Sequence, residues 1–328
     1  MLVKGRTATD PSRDAEFHHL IIFDHEPSTS GDGVHVRRFP VQGRINMVLR
    51  MGDGIRFERR IPHVGTYRRE LNASIERLYE NTLDWEHLPY LHRSSFRRIE
   101  LVEAVGDRWR AWVWPQARKD SARIMIELAL DRACRRWITT TIEGSGAGTE
   151  IWTHAFAVGE RRCDVVVDFF APGATPETAP GLGKFYVDLY KRLYDEDEAM
   201  MIERQLQLDR AHEHDRPASG DRLNLGQLDE VRRRLPLTVE FGGRRFRVVE
   251  AGGELLAHAA VCPHLLGPLG EGEVRGGIVE CPWHGYRFDL RTLECVSGAN
   301  CRLSPSPDVS IDAATSEVIL TPPRSPRP

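Results

Sequence analysis

Two short motifs near the C-terminus restrict this chain more than any other feature. They are Cys262-Pro263-His264 and, after sixteen intervening residues, Cys281-Pro282-Trp283-His284. Each supplies one thiol and one imidazole, and each sits in a Gly/Pro-rich loop, Cys262 to Gly270 and Cys281 to Gly285. Four such donors have a common purpose only if the two loops close on one metal centre, so the surrounding chain must fold as a scaffold for paired loops. Structural zinc sites group Cys with Cys and His with His. Here each loop gives one of each, which argues against zinc.

The same set is what a Rieske 2Fe–2S cluster needs. Two thiolates, Cys262 and Cys281, hold one iron, and two neutral imidazoles, His264 and His284, hold the other. The imidazoles raise the potential above that of an all-thiolate cluster. The loop glycines let backbone N–H groups approach the cluster sulfurs.

Composition bounds the rest. A length of 328 residues suggests two domains of about 100–200 residues each. A hydrophobic content of 41% is enough for ordinary cores, and a net charge of -3 argues against a dedicated nucleic-acid binder. There is no apolar run of about 18 residues to span a membrane. Met1 to Asp14 is polar and lacks the apolar core of a signal peptide. Cys134, Cys163, Cys295 and Cys301 read as free thiols of a reducing compartment. The expectation is a cytoplasmic redox protein with no nucleic-acid or membrane partner.

Short apolar stretches in residues 1–65 (His19 to Phe23, Val34 to Phe39, Ile45 to Leu49, Ile55 to Ile61) read as a strand-rich extension of the domain that follows. In residues 66–212, a strand from Tyr67 and a helix capped by Ser74 precede six strands, and a second helix runs from about Lys184 to His212. Residues 213–224 read as a linker. Short strands at Val239 to Phe241, Arg245 to Glu250, Leu255 to Ala260 and Ile278 to Glu280 then place an all-β domain over residues 225–321. The Pro/Arg-rich tail, 322–328, reads as disordered.

The second chemical signal is Asn81-Thr82-Leu83-Asp84-Trp85-Glu86-His87-Leu88-Pro89-Tyr90-Leu91-His92. Asp84 and His87 are three apart and share a helical face. His87 and His92 are five apart and would point about 140° away from each other on a straight helix. A kink at Pro89 would let them converge. Two His and one carboxylate form the facial set of mononuclear iron(II) sites that activate oxygen. The run Asp195-Glu196-Asp197 on the second helix offers the carboxylate, although an acidic run on a helix is ordinarily a solvated face.

Taken together, the Cys262/His264/Cys281/His284 set, the Asn81-x-x-Asp84-x-x-His87-x4-His92 motif and Glu196-Asp197 followed by Gln205 resemble the Rieske non-heme iron oxygenases. The resemblance implies an α+β chain. A helix-grip (START/Bet v1-like, SRPBCC) catalytic domain comes first and the Rieske domain second, the reverse of the family's usual order. It implies mononuclear Fe(II) held by His87, His92 and Asp197, with Asp195 the alternative carboxylate. Asp84 would be the electron bridge to His284 on the cluster side. The partners implied are O2, a small organic substrate and an external ferredoxin or flavin reductase drawing on NAD(P)H, with the chain acting as a mono- or dioxygenase in a homotrimer. Within that trimer, family members pass electrons from one subunit's cluster to the next subunit's iron. Candidate pocket walls are Tyr90, Phe96, Trp112, Trp114, Trp152, Phe156 and Phe170. The competing expectation is an iron-free ligand-binding domain fused to a Rieske redox sensor or electron carrier.

Overall fold

The computed structural model describes residues 61–116, 122–213 and 222–323, and the backbone of 48–51 and 54–57. The strands expected at His19 to Phe23 and Val34 to Phe39, most of the expected linker, and residues 324–328 of the tail lie outside the described residues. In the N-terminal segment, β1 (Val48–Met51) and β2 (Gly54–Phe57) pair as an antiparallel hairpin.

The first domain is built from β3 (His63–Leu71), α1 (Ile75–Leu83), β4 (Phe96–Val105), β5 (Arg108–Pro115), β6 (Ile124–Asp131), β7 (Arg136–Glu143), β8 (Glu150–Gly159), β9 (Arg162–Phe170) and α2 (Ala179–Glu213). Its strands make one antiparallel sheet of seven, ordered β3-β9-β8-β7-β6-β5-β4. Period-2 alternation decides which face is buried. Along β9, Cys163, Val165, Val167 and Phe169 turn inward and are fully buried. They pack with Trp109, Trp137 and Tyr190, Tyr194 and Met201 of α2. A single antiparallel sheet holding one long helix is the helix-grip, START/Bet v1-like fold. α2 begins about a turn before the expected Lys184, because Thr175 and Thr178 cap each other's backbone N–H groups and start the helix early.

The same alternation corrects the aromatic pocket wall. Trp109 and Ala111 face the core, so Trp112 and Trp114 emerge on the opposite face of β5, where the guanidinium groups of Arg123 and Arg98 lie over them. Trp152 lies likewise under Arg136, and Phe156 is half exposed. Phe170 joins Trp152 on that outer face.

The second domain comprises β10 (Leu223–Gln227), α3 (Leu228–Arg234), β11 (Leu237–Phe241), β12 (Arg244–Ala251), β13 (Glu254–Ala259), β14 (Glu273–Arg275), β15 (Ile278–Glu280), β16 (Arg287–Asp289), β17 (Asp308–Ile311) and β18 (Glu317–Thr321). They form three antiparallel sheets of three strands, with α3 a short interruption. β10 starts inside the stretch read as linker, because Leu223 already pairs with Leu320. The two domains share a core. Leu91 and Met200 of the first pack among Cys262, Cys281, Trp283 and Phe288 of the second.

Candidate metal centres

α1 is shorter than its sequence suggests. Ser74 caps the start by accepting from the Arg77 N–H, but the chain leaves the helix at Asp84, whose ψ of 89° is not helical. His87 and His92 are therefore not on a kinked helix. They open two successive turns: the Leu91 N–H donates to the His87 carbonyl at 2.8 Å, and the Phe96 N–H to the His92 carbonyl at 2.9 Å. Pro89, which lacks an N–H, suits a run of separate turns. The indole of Trp109 donates to the Thr82 carbonyl at 3.1 Å and anchors the chain just before Asp84.

The structure brings His87, His92 and Asp197 together, all buried, with one donor atom of each within 4.8 Å of the others. The two Nε2 atoms are 3.2 Å apart, and Asp197 Oδ1 lies 3.5 Å from His87 Nε2 and 3.0 Å from His92 Nε2. Metal–ligand bonds of about 2.1 Å at right angles put adjacent donors about 3 Å apart, so the trio fits one ion. Asp197 lies on the sheet-facing stripe of α2, three residues after buried Tyr194 and four before buried Met201. Asp195 points away: its side chain is about half exposed and pairs with Arg69.

Two further residues, which the motif contained without roles, shape this trio. Glu196 Oε2 lies 2.6 Å from His92 Nδ1, which fixes the ring and leaves Nε2 free. Asn81 donates to Asp197 Oδ1 at 2.9 Å. Burial works against charge on His92, yet Asp197 and Glu196 outweigh it and push the imidazolium up to about 9. Burial also opposes ionisation of Asp197, but His92 beside it holds the carboxyl below its ordinary range.

In the second domain Cys262, Cys281, His264 and His284 meet under tight turns. The Cys262 N–H donates to the Gly267 carbonyl, and the Gly285 N–H to that of Cys281. The His264 and His284 rings stand perpendicular, 4.6 Å apart. His264 Nδ1 is buried with no hydrogen-bond partner, which leaves it open to a metal. A Cβ at position 267 would press on the Trp283 ring at 2.9 Å and on Cys281 Sγ at 3.1 Å, so only glycine leaves the cradle open. The Cys262 thiol, outweighing burial, holds Cys281 below the ordinary thiol range, helped by the Trp283 and His284 N–H groups. Burial and neighbouring His284 lower the His264 imidazolium below its ordinary range. These residues fit a 2Fe–2S cluster.

Asp84 stands between the two donor sets. His284 Nε2 donates to Asp84 Oδ2 at 2.7 Å, and His87 Nδ1 lies 3.4 Å from the same oxygen, close enough for an ion pair but without hydrogen-bond geometry. Burial raises the Asp84 carboxyl, but His284 and His87 more than reverse this and hold it well below the carboxylate range. Beside it, the Tyr286 phenol donates to Glu86 Oε2 at 2.7 Å, a contact no sequence spacing announced.

Residues 221–306 match the family model described as the Rieske [2Fe-2S] domain, so this chain carries one. The anthranilate 1,2-dioxygenase ferredoxin subunit of Burkholderia cepacia is 38% identical over 68 residues, 21% of this chain and 63% of that protein. Human apoptosis-inducing factor 3 is 41% identical over 54 residues, 16% of this chain, and the chain spans only 9% of its length. Among solved structures, a START superfamily protein from Mycobacterium smegmatis matches 42% of this chain and 97% of its own, at 17% identity and a TM-score of 0.35. No helix among the described residues is long and apolar enough to cross a membrane.

Proposed function

We propose that this chain is the oxygenase component of a Rieske non-heme iron system. In this reading it inserts oxygen from O2 into a small, hydrophobic organic substrate by hydroxylation or oxidative demethylation. The observation that carries the reading is the buried His87–His92–Asp197 trio joined through Asp84 to His284. Cys262, His264, Cys281 and His284 would hold the 2Fe–2S cluster, and His87, His92 and Asp197 a mononuclear Fe(II). When bound, the cluster supplies single electrons and the iron supplies oxygen activation.

The protein's own groups do the rest. Glu196 and Asn81 orient the donors, and Asp84 holds the His284 ring by a hydrogen bond while lying 3.4 Å from His87 Nδ1. Tyr67, Trp109, Phe169 and Tyr190 belong to the apolar core of the domain that carries the trio. That a matched relative is, by name, the ferredoxin subunit of a dioxygenase supports the redox setting. An external ferredoxin or flavin reductase would reduce the cluster in the cytoplasm.

Iron quantitation with electron paramagnetic resonance (EPR) tests the reading. About three irons per chain are expected, two in the cluster and one mononuclear, followed by turnover in a screen of small aromatic substrates. Only two irons per chain in fully reconstituted protein would leave a Rieske electron carrier fused to an iron-free ligand-binding domain.

A further inference from the structure

Two cysteines that hold no cluster iron stand face to face beside the cluster pocket. Cys295 and Cys301 are half-buried free thiols on the segment after β16, and both pack against the core that contains Cys262, Cys281 and Phe288. We propose that Cys295 and Cys301 form a peroxide-reactive dithiol that closes to a reversible disulfide in the wall of that pocket. The proposal needs only the Rieske domain and is independent of the oxygenase reading.

Strand register brings the pair together. Glu294 and Arg302 form an antiparallel bridge, so the neighbouring pair is Cys295 opposite Cys301. The Cys295 N–H donates to the Cys301 carbonyl at 3.2 Å, and the Leu303 N–H to the Leu293 carbonyl at 2.8 Å, which fixes the register from both sides of the bridge. Hydrogen-bonded residues directly opposite each other have Cα atoms about 5.5 Å apart, inside the roughly 4.4–6.8 Å that a disulfide spans. The two thiols already share a side-chain hydrogen bond. On its other edge Cys295 bridges fully buried Phe288, and the Val296 N–H donates to the Arg287 carbonyl at 2.8 Å. With the backbone held on both edges, closing the bond calls for side-chain rotation rather than a new fold.

The surroundings give the two sulfurs different roles. Cys295 Sγ lies 3.2 Å from the Ser297 hydroxyl. Burial pushes the Cys295 thiol up, but that hydroxyl and the N–H groups of Ser297 and Ala299 outweigh it and hold the thiol below its ordinary range. Burial and neighbouring Cys295 push the Cys301 thiol up to about 11. Val296, Ser297 and Gly298 are exposed, so a molecule as small as hydrogen peroxide can reach the site. The Cys295 thiolate attacks one peroxide oxygen: an S–O bond forms, the O–O bond breaks, and the departing hydroxide takes up a proton as water. Cys295 is thereby oxidised to the sulfenic acid and the peroxide reduced. The Cys301 sulfur then attacks the Cys295 sulfur. The S–S bond forms, the S–O bond breaks, and hydroxide leaves with the Cys301 proton as a second water. An external thiol returns both cysteines to the reduced state.

Timed exposure of the holoprotein to equimolar hydrogen peroxide, followed by alkylation and peptide mapping, tests the proposal, with the visible absorbance of the cluster followed in parallel. The 295–301 link should form while that absorbance is intact, and dithiothreitol should reverse it. Cys295 should lose its free thiol at least about 10-fold faster than exposed Cys134, whose thiol the Asp131 carboxylate pushes up. Cys301→Ser should stop at the sulfenic acid on Cys295, captured by dimedone. Earlier loss of Cys134, a 262–281 link in place of 295–301, or a 295–301 link seen only after the cluster absorbance has gone would each overturn the proposal. The wild-type holoprotein carries the main measurement, so a variant that fails to fold does not remove the test. Iron at His87 does not enter it, and either outcome leaves the oxygenase reading to its own experiment.

Discussion

Cys262, His264, Cys281 and His284 are delivered by two tight turns whose backbones are closed by their own hydrogen bonds, Cys262 N–H to Gly267 and Cys281 N–H to Tyr286. His87, His92 and Asp197 are delivered otherwise. Two of them stand on consecutive turns, and the third arrives on α2, more than a hundred positions later in the chain. The first pocket is shaped locally. The second depends on α2 packing on the sheet through Tyr194 and Met201 and on polar ties to β3 and α1, where Glu198 accepts from the Asn72 N–H and side chain and from Arg69, and Arg204 pairs with Glu80. A locally closed pocket depends on its metal for integrity, whereas a site hung on a packed fold should survive without one.

The sharpest break in that contrast comes from removing one donor on each side. Cys281→Ser should abolish the cluster's visible absorption and loosen residues 222–323 in hydrogen exchange, since Cys281 sits in that core. His92→Ala should lower metal affinity at the trio by more than about 100-fold, with the cluster spectrum and thermal midpoint nearly unchanged. Equal destabilisation by both would erase the distinction.

Asp84→Asn joins the two regions. Both metal centres should load, while reoxidation of the reduced cluster in single turnover slows about 10- to 100-fold. An amide oxygen can still accept from His284, but it lacks the negative charge that Asp84 sets between the two imidazoles. Wild-type kinetics in this variant would mean that the relay lies elsewhere.

Within the trio, Glu196→Gln should weaken metal binding by about 10-fold, because a neutral amide orients the His92 ring less firmly than a carboxylate. Asp195→Asn should leave metal content alone and cost at most about 1 kcal/mol, as expected for a half-exposed pair with Arg69. Titration with Fe(II) distinguishes these outcomes.

In the cluster pocket, the potential should fall near the low end of the Rieske range, about −150 mV. High-potential members of that range place hydroxyl donors at the two positions held here by Tyr286 and Phe288. The Tyr286 hydroxyl is committed to Glu86, and buried Phe288 has none to offer. A midpoint near +300 mV would refute this.

A separate test asks whether the second domain has an acid limb of its own. His258 is fully buried, with Nδ1 bonded to the Ala259 carbonyl, and burial holds its imidazolium down to about 4. The unfolded chain takes up that proton near pH 6.5 while the native state cannot. Stability from this group is therefore complete above pH 6.5 and is lost as pH falls toward 4, about 3 kcal/mol in all. His258→Gln should flatten the stability profile in that window, measured by urea unfolding at stepped pH.

Sequence by itself determined the features whose physics is local. The Cys-x-His and Cys-x-x-His turns dictate a paired-loop pocket whatever surrounds them, and the alternation of β9 dictates a sheet with one buried face. The seven-stranded sheet and its long helix were legible for the same reason. Tertiary structure alone decided what depends on distant packing. It selected Asp197 over Asp195, since only the stripe of α2 turned toward the sheet reaches the histidines. It sent Trp112 and Trp114 outward because Trp109 and Ala111 had taken the inner face. It also set Glu86 against Tyr286, two hundred positions apart, because side-chain contacts between domains follow from how whole surfaces fit and not from spacing along the chain.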